Sequence, residues 1–191
     1  MTAGPTSIVA AHIPITLRGH RQWVTYRKEM RPGRTKPAKI PYNPRTGRFA
    51  SSTDPQSWSS FDQALAVVTQ YDGVGYVFVP ENEIVGIDLD GCRDPNTGVL
   101  TPWAIDMIGA TRSYTEISPS GCGLHIFVRG RLPAGRRKRG RIEMYDSGRY
   151  FTVTGHRLDE WPMTVDIRPP ALALPALVSV FLDDPGDETD A

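Results

Sequence analysis

The sequence predicts an α/β (α+β) domain in which a mainly antiparallel sheet follows residue 73. Three observations lead to this fold class: short apolar, β-branched segments recur along the chain, turn signals separate several of them, and few segments show helical spacing. With 191 residues, of which 39% are hydrophobic, the chain can bury one sizeable core or a core shared by two small lobes.

The first part of the chain predicts a strand, a basic loop and a helix. Residues 22–29 (QWVTYRKE) alternate enough to form a strand. Residues 31–49, rich in Pro, Gly and basic side chains, predict an extended loop or a loose hairpin. Residues 57–70 predict a helix, because Ser57 can cap it and apolar side chains recur at helical spacing from residue 61 onward.

The remainder of the chain predicts six strands and two helices. The strands are expected at 73–79, 83–90, 113–117, 123–130, 141–145 and 149–155, and the helices at 101–110 and 171–182. The tripeptide PEN separates the first two strands, and DSG predicts a tight turn between the last two. Thr101 is the expected N-cap of the first helix, with Pro102 in its first turn, and Pro175 is expected to disturb the second helix. Residues 183–191 predict an acidic tail or linker.

The formal net charge of +1 conceals an uneven distribution of charge. Residues 1–53 contain ten Lys or Arg and one acid, and residues 127–150 contain eight Lys or Arg and two acids. The last nine residues contain five acids and no base. Two basic blocks around an acidic middle suggest a polyanionic partner held beside a cation site, although basic loops can also be merely solvated.

Several classes of protein are disfavoured by the sequence. No apolar run reaches the roughly 18–20 residues that span a bilayer, so no membrane partner is expected. The first residues lack a basic segment before their apolar ones, which is unlike a signal peptide. Cys92 and Cys122 have no histidines at zinc-site spacing, and we interpret both as small thiols in a reducing cytoplasm.

Asp88 and Asp90 stand at the end of the apolar segment IVGIDLDGC. Residues two apart on a strand point to the same face, so both carboxylates can converge on one ion. Two such charges are unfavourable together unless a cation neutralises them or a pKa rises. Oxygen ligands suit Mg²⁺ or Mn²⁺ better than zinc. The alternative is a polar strand end in which one acid caps the following loop.

A third acid could come from RIEMYDSGRYFTVTG, the segment expected to form the last hairpin. Glu143 lies on its first strand and Asp146 at its turn. Either could complete a metal site with the first two acids if the hairpins are neighbours in the sheet. The alternative is that Glu143 pairs with Arg141 or with Arg149 across the hairpin.

The segment SPSGCGLHIFV, at 118–128, places small residues and a histidine before an apolar run. Gly121 and Gly123 permit close backbone approach, Ser120 offers a hydroxyl, and His125 can donate an imidazole N–H. The segment can be a phosphate cradle, or a glycine-rich turn that enters a strand.

Taken in order, these motifs resemble the archaeo-eukaryotic primase superfamily, in particular the bifunctional primase–polymerases of phages, plasmids and other mobile elements. The resemblance is carried by GIDLDGC, SPSGCGLHIFV and IEMYDSGRYFTVTG, with a similar lead-in at KIPYNPRTGRFASSTDPQSWSSFDQA, and covers about residues 20–160. It implies a catalytic domain at 1–182, with an N-terminal αβ unit (about 15–72), an RRM-like core (about 73–160) and a C-terminal helix (about 170–182). An active-site cleft is expected between the unit and the core.

The resemblance also implies roles for individual residues. Asp88 and Asp90 match the metal-binding acids of the first motif, and Ser120 and His125 match the nucleotide-binding residues of the second. The third motif commonly supplies Asp; the spacing to Gly148 and Tyr150 favours Glu143 here, with Asp146 as the alternative. The implied reaction is metal-dependent nucleotidyl transfer from an NTP or dNTP to a 3′-hydroxyl, with two Mg²⁺ or Mn²⁺ ions.

The basic residues are expected to contact the polyanionic substrates. Arg149 can bind the triphosphate, or form a salt bridge with Glu143 or Asp146. The expected contacts to template or primer phosphates are Lys36, Lys39, Arg45, Arg48, Arg136, Arg137, Lys138 and Arg139. The run at 136–139 can equally be a solvated loop. We also expect a helicase domain in a longer parent chain and a cytoplasmic location, for a protein encoded by a bacterial host or by a virus.

Three other functions fit parts of the sequence. VGIDLDGC resembles the opening motif of haloacid-dehalogenase-type phosphatases, but these need a parallel sheet, and the chain's one D-D pair, at 183–184, lies in the tail. A metal-dependent nuclease could use similar acids. An inactive RRM-like nucleic-acid-binding module would expose aromatics on its sheet, whereas acids and His125 are expected on the open face here.

Overall fold

The computed structural model describes residues 7–33, 35–158 and 166–183, and these residues form a mixed α/β structure with few helices. The strands are β1 (Trp23–Glu29), β2 (Ala38–Tyr42), β3 (Gly73–Val77), β4 (Ile84–Leu89), β5 (Thr115–Ile117), β6 (Leu124–Arg129), β7 (Lys138–Arg139), β8 (Ile142–Tyr145) and β9 (Tyr150–Val153). The α-helices are α1 (Ile15–Arg18), α2 (Phe61–Val67), α3 (Pro102–Thr111) and α4 (Leu174–Val178). The predicted α+β class is confirmed.

The strands form two antiparallel sheets. The first sheet has the order β2-β1-β3-β9, and the second has the order β5-β6-β4-β8-β7. The prediction of one sheet after residue 73 is therefore wrong, because β3 and β9 pair into the sheet that contains the N-terminal strands. In the segment at 31–49, the hairpin alternative is the correct one, since β2 pairs with β1.

The hairpin predicted between 141–145 and 149–155 does not form. β8 pairs with β4 in the second sheet, whereas β9 pairs with β3 in the first. The D-S-G segment thus crosses between sheets, and long-range hydrogen bonds hold it there. The Leu132 amide donates to Asp146 Oδ2 at 3.0 Å, and the Ser52 hydroxyl donates to the Gly148 carbonyl at 2.9 Å. A local turn signal cannot reveal these partners.

The helix predicted at 57–70 begins later than expected. Ser60, rather than Ser57, is its N-cap, and a reciprocal pair of bonds with Gln63 forms a capping box. Ser57 ends a 3₁₀ turn, and its hydroxyl donates to the Asp54 carbonyl at 2.7 Å. The N-cap prediction was wrong because Ser57 and Ser60 both precede the apolar residues, and only the backbone geometry distinguishes them.

The other two predicted helices are both present: α3 begins where it was predicted, and α4 (Leu174–Val178) is shorter than the predicted 171–182. Thr101 stands at the N-cap of α3, but its hydroxyl makes no cap bond and has no partner among the described residues. Pro175 lies in the first turn of α4, where the missing N–H costs nothing, so it marks a start rather than a disturbance. Of the predicted acidic tail, residues 184–191 lie outside the described residues.

The two faces of the second sheet have different characters. One face buries Ile87, Leu124, Ile126 and Met144 against α3 and α4. The other face meets the first sheet through an aromatic cluster: a Cβ on Gly86 would lie 2.2 Å from Phe78 and 2.7 Å from Phe151. A glycine at this position therefore lets the sheets approach closely, two residues before Asp88.

None of the helices in the described part of the chain has the length and apolar character that crossing a bilayer requires.

Candidate active site

A row of five polar side chains crosses the second sheet from edge to edge. Residues directly opposite each other in antiparallel strands project to the same face. The register places Glu116 opposite His125, His125 opposite Asp88, Asp88 opposite Glu143, and Glu143 opposite Lys138. This row, Glu116–His125–Asp88–Glu143–Lys138, is called the polar row below. It joins members of all three predicted motifs and faces the first sheet.

Asp88 occupies the centre of the polar row, and its side chain is 26% exposed. Burial raises the pKa of Asp88; the carboxylates of Asp90 and Glu143 act in the same direction, whereas His125 and Lys39 act against it. Asp90 follows β4, where its amide donates to the Arg141 carbonyl at 2.8 Å. Asp90 and Glu143 therefore both lie close enough to Asp88 to influence its pKa.

The third predicted acid, Glu143, projects beside Asp88 and forms an ion pair with Lys138. The alternative partners, Arg141 and Arg149, are not its partners in this structure. Asp146 instead accepts the Leu132 amide and the Ser147 hydroxyl within the crossing segment. Among the described residues, no three carboxylate, imidazole or thiol groups are already gathered closely enough to hold an ion. Lys138 engages one of the two carboxylate oxygens of Glu143.

The glycine-rich loop at 118–123 packs against the end of the acid-bearing strand β4. Gly121 has a φ of +76°, which favours glycine, and Arg93 Nη1 donates to its carbonyl at 3.0 Å. A Cβ on Gly123 would lie 2.6 Å from the Leu89 carbonyl oxygen. Gly123 therefore allows the loop to approach the backbone of β4, rather than a ligand. This contact holds the second motif against the first.

Ser120 stands at the exposed tip of this loop. Its hydroxyl lies 2.9 Å from Ser118 Oγ and accepts the Cys122 amide at 3.2 Å. Ser120 is thus accessible to a ligand, and its present hydrogen bonds shape the turn.

His125 is almost completely buried, at 3% exposure, between two carboxylates. Its Nδ1 lies 3.4 Å from Glu116 Oε1, and its Nε2 lies 3.7 Å from Asp88 Oδ1. The imidazole centroid is 5.3 Å from that of the Phe151 ring. The ring can therefore direct only one nitrogen toward Asp88.

Glu116 is the site residue that sequence reasoning missed. It is fully buried and accepts hydrogen bonds from the Tyr114 hydroxyl at 2.9 Å, the Thr154 amide at 3.0 Å and the Gly155 amide at 2.9 Å. Burial, followed by the charge of Glu116, raises the pKa of Tyr114, which therefore remains a donor. The available signal was a charged residue inside the otherwise uncharged strand SYTEI, directly before the glycine-rich loop.

A cleft of about 200 Å³ opens between the two sheets at the polar row. Its lining residues are Lys39, Asp88, His125, Tyr150, Phe151 and Thr152. Lys39 comes from β2 and Asp88 from β4, so a cation and an acid face each other across the cleft. The Lys39 ammonium is 3.4 Å from the Thr152 hydroxyl.

The Lys39 side chain is exposed as a whole, but burial of its ammonium end in the cleft removes hydration and lowers the Lys39 pKa. Asp88 and Asp90 act in the opposite direction and Lys28 in the same direction. Lys39 was predicted as a contact to DNA, and in the structure it lines the cleft opposite Asp88.

The remaining predicted cations do not line the cleft. The Arg149 guanidinium lies 5.2 Å from the centroid of the Tyr145 ring, rather than in the alternative salt bridges. Lys36, Arg45 and Arg48 are exposed on the β2 side, and Arg45 donates to the Gln56 carbonyl. In the run at 136–139, Arg136 donates to the Leu182 carbonyl, Arg137 to the Pro133 carbonyl, and Lys138 pairs with Glu143, while Arg139 lies in β7.

The chain shares a long stretch of sequence with a phage enzyme. Over 151 residues it is 42% identical to the DNA primase-polymerase of Nitratiruptor phage NrS-1. The match covers 75% of this chain and 20% of the phage protein, so the chain spans about a fifth of that relative's length. No family model matches the chain. The chain is similar to part of a phage DNA primase-polymerase.

Proposed function

We propose that the chain is the catalytic domain of a template-directed DNA primase–polymerase. It would transfer a nucleotidyl group from an NTP or dNTP to a 3′-hydroxyl. The observation that carries the proposal is the polar row, in which Asp88 stands between His125 and Glu143, with Lys39 facing Asp88 and His125 across the cleft. The similarity to part of a phage primase-polymerase supports the same function. Membership of the archaeo-eukaryotic primase superfamily, with an RRM-like core, belongs to this proposal.

Asp88, Asp90 and Glu143 are the residues that would hold Mg²⁺ or Mn²⁺. Their donor set fits, because hard divalent ions prefer carboxylate oxygens and because clustered carboxylates need a neutralising cation. When bound, such ions lower the pKa of an attacking hydroxyl and stabilise a pyrophosphate leaving group. Glu143 is the better third acid, since Asp146 is engaged in the crossing segment. Lys138 competes with any ion for Glu143.

The cations around the cleft would bind the triphosphate. The cleft-facing Nε2 of His125 and the ammonium of Lys39 lie on opposite walls of the cleft, which suits a polyanion between them. Ser120, in the loop anchored by Gly123, would offer a further hydroxyl at the same end of β4. Gly121 would act through the shape of this loop, since its amide donates to the Ser118 carbonyl at 2.9 Å. Arg149, supported by Tyr145, would approach from the crossing segment.

The β2 side of the molecule suits a DNA strand. Arg45 and Arg48 are exposed, and Phe49 beside them is 69% exposed with its ring 5.1 Å from Tyr42. Basic side chains beside an open aromatic ring are typical of single-strand binding, in which phosphates and bases are contacted separately. Lys36 extends this surface. The 136–139 run is a weaker candidate, because several of its side chains bind the protein itself. A helicase domain in a longer parent chain and a bacterial cytoplasmic setting remain part of the proposal.

Primer extension tests the proposed function directly. We expect the wild-type protein to extend a primed DNA template with Mg²⁺ or Mn²⁺. Asp88→Asn should reduce extension by at least about a hundredfold, because it removes a ligand to the ions. It should leave the thermal unfolding midpoint unchanged or raised, since it also removes charge repulsion. Asp106→Asn, an exposed acid on α3, is the matched control and should extend normally.

Several outcomes would contradict the proposal. Extension by Asp88→Asn at the wild-type rate would remove the metal assignment. DNA binding by the wild type without extension, with either ion and either nucleotide type, would favour an inactive binding module. DNA degradation would favour a nuclease. The phosphatase alternative is already disfavoured, because every pairing among β1–β9 is antiparallel.

A further inference from the structure

Glu116 is a fully buried carboxylate whose hydrogen-bond partners come from several elements. One oxygen, Oε2, accepts from Tyr114 and from the Gly155 amide; the other, Oε1, accepts from the Thr154 amide and faces His125. A buried carboxylate is unfavourable unless its lone pairs are filled, and here the protein supplies a donor in each direction. These contacts leave the carboxylate no freedom to turn away from the imidazole.

The contact determines which nitrogen of His125 faces the cleft. A carboxylate only accepts hydrogen bonds, so the ring nitrogen that faces Glu116, Nδ1, carries a hydrogen. Nε2 is thereby directed at Asp88 and the cleft. Thr154 and Gly155 follow β9, so Glu116 also ties the imidazole of the second sheet to the end of a strand of the first.

We propose that Glu116 is a positioning residue for nucleotide binding: it accepts the Nδ1–H of His125 and so turns Nε2 toward the triphosphate, to which a hydrogen on Nε2 would donate. The bound ring then carries a hydrogen on both nitrogens, a charged form that the anions on its two sides, Glu116 and the triphosphate, favour. The inference rests on the proposed function, because His125 is given its ligand there. Carboxylates that accept the second N–H of an imidazole and orient it are well known for metal-binding histidines, where their loss typically reduces affinity or activity about 10–100-fold, and we expect the same orienting effect here.

Steady-state primer extension separates this role from a merely structural one. We expect Glu116→Gln to raise the KM for the nucleotide about tenfold while kcat changes less than about threefold. His125→Ala should raise KM at least as much. The double variant should match His125→Ala alone, because Glu116 acts through the ring. Tyr114→Phe is the control: it removes one donor to Glu116 without touching the ring, and its KM should stay within about twofold of the wild type.

The outcomes distinguish the two proposals from each other. An unchanged KM in a folded Glu116→Gln variant, or KM effects that multiply in the double variant, would overturn the positioning role while leaving the proposed function in place. Absence of extension by the wild type would overturn the proposed function instead.

A second measurement reads the ring in the wild-type protein and does not depend on activity. Nitrogen-15 NMR of the wild-type protein, with the His125 ring assigned by comparison with His125→Gln, should show a hydrogen on Nδ1. A ring with a bare Nδ1 would overturn the inference.

Discussion

The two ends of the polar row each contain a carboxylate beside a basic group, but they differ in burial. We call Glu116 and His125 the inner end, and Glu143 and Lys138 the outer end. At the inner end, Glu116 and His125 are buried, and every direction around the carboxylate is filled by a protein donor. At the outer end, the Glu143 side chain is 23% exposed and the Lys138 side chain 57% exposed, and their ion pair faces water. The inner carboxylate is engaged by protein donors on every side, whereas the outer one, under the proposed function, would exchange a lysine for an ion. The two glutamates are the same residue type, so what distinguishes their proposed roles is how far each carboxylate is buried and how many protein donors already bind its oxygens.

The largest expected difference between the two ends is in stability. Glu116→Ala should lower the free energy of unfolding by about 3 kcal/mol or more, because it leaves buried donors without acceptors. Glu143→Ala should cost less than about 1 kcal/mol, since exposed ion pairs contribute little. Urea denaturation of both variants measures the contrast. Equal losses at the two ends would contradict it.

Glu143, whose loss should cost little stability, is expected to matter strongly for catalysis. Glu143→Gln should reduce primer extension about a hundredfold if Glu143 is the third metal acid. Asp146→Asn should reduce it less than about threefold, because the amide oxygen can still accept the Leu132 amide. Initial rates at saturating nucleotide, with Mg²⁺ and with Mn²⁺, check the prediction. A larger loss in Asp146→Asn would exchange the two assignments.

The smallest expected effect concerns the opposite wall of the cleft. Lys39 has a pKa below its ordinary value of 10.5, so its ammonium loses its proton earlier than other lysines as the pH rises. The KM for the nucleotide should therefore rise at alkaline pH, by about threefold for one partly exposed charge. Lys39→Arg should abolish this rise, because arginine stays charged.

Lys28 offers a way to move the same transition. It lies opposite Lys39 in the register, and its charge contributes to lowering the Lys39 pKa. Lys28→Met should therefore shift the rise in KM to higher pH. The same profile of KM against pH in Lys28→Met and the wild type would show that Lys28 does not set the transition, whereas an unchanged rise in Lys39→Arg would show that Lys39 is not the titrating group.

The strands, and the faces on which their side chains lie, followed from the sequence where the evidence was local. Asp88 lies on the face opposite Ile87 and Leu89 because side chains alternate along a strand, and His125 alternates with Leu124 and Ile126 in the same way. Glu116 was missed because its partners are 38 and 39 residues away in the chain, at Thr154 and Gly155. In the sequence, a buried acid cannot be told from a surface acid until the pairing register of its strand is known.

The sequence by itself determined the α+β class, most strand positions, and which side chains share a face within each strand. These features depend on backbone periodicity and on local caps, which act over a few residues. Only the tertiary structure decided that β8 and β9 belong to different sheets, that Lys39 faces Asp88, and that Glu116 stands behind His125. The physical reason is that register and sheet membership depend on which apolar faces pack together, and that choice involves the whole chain at once.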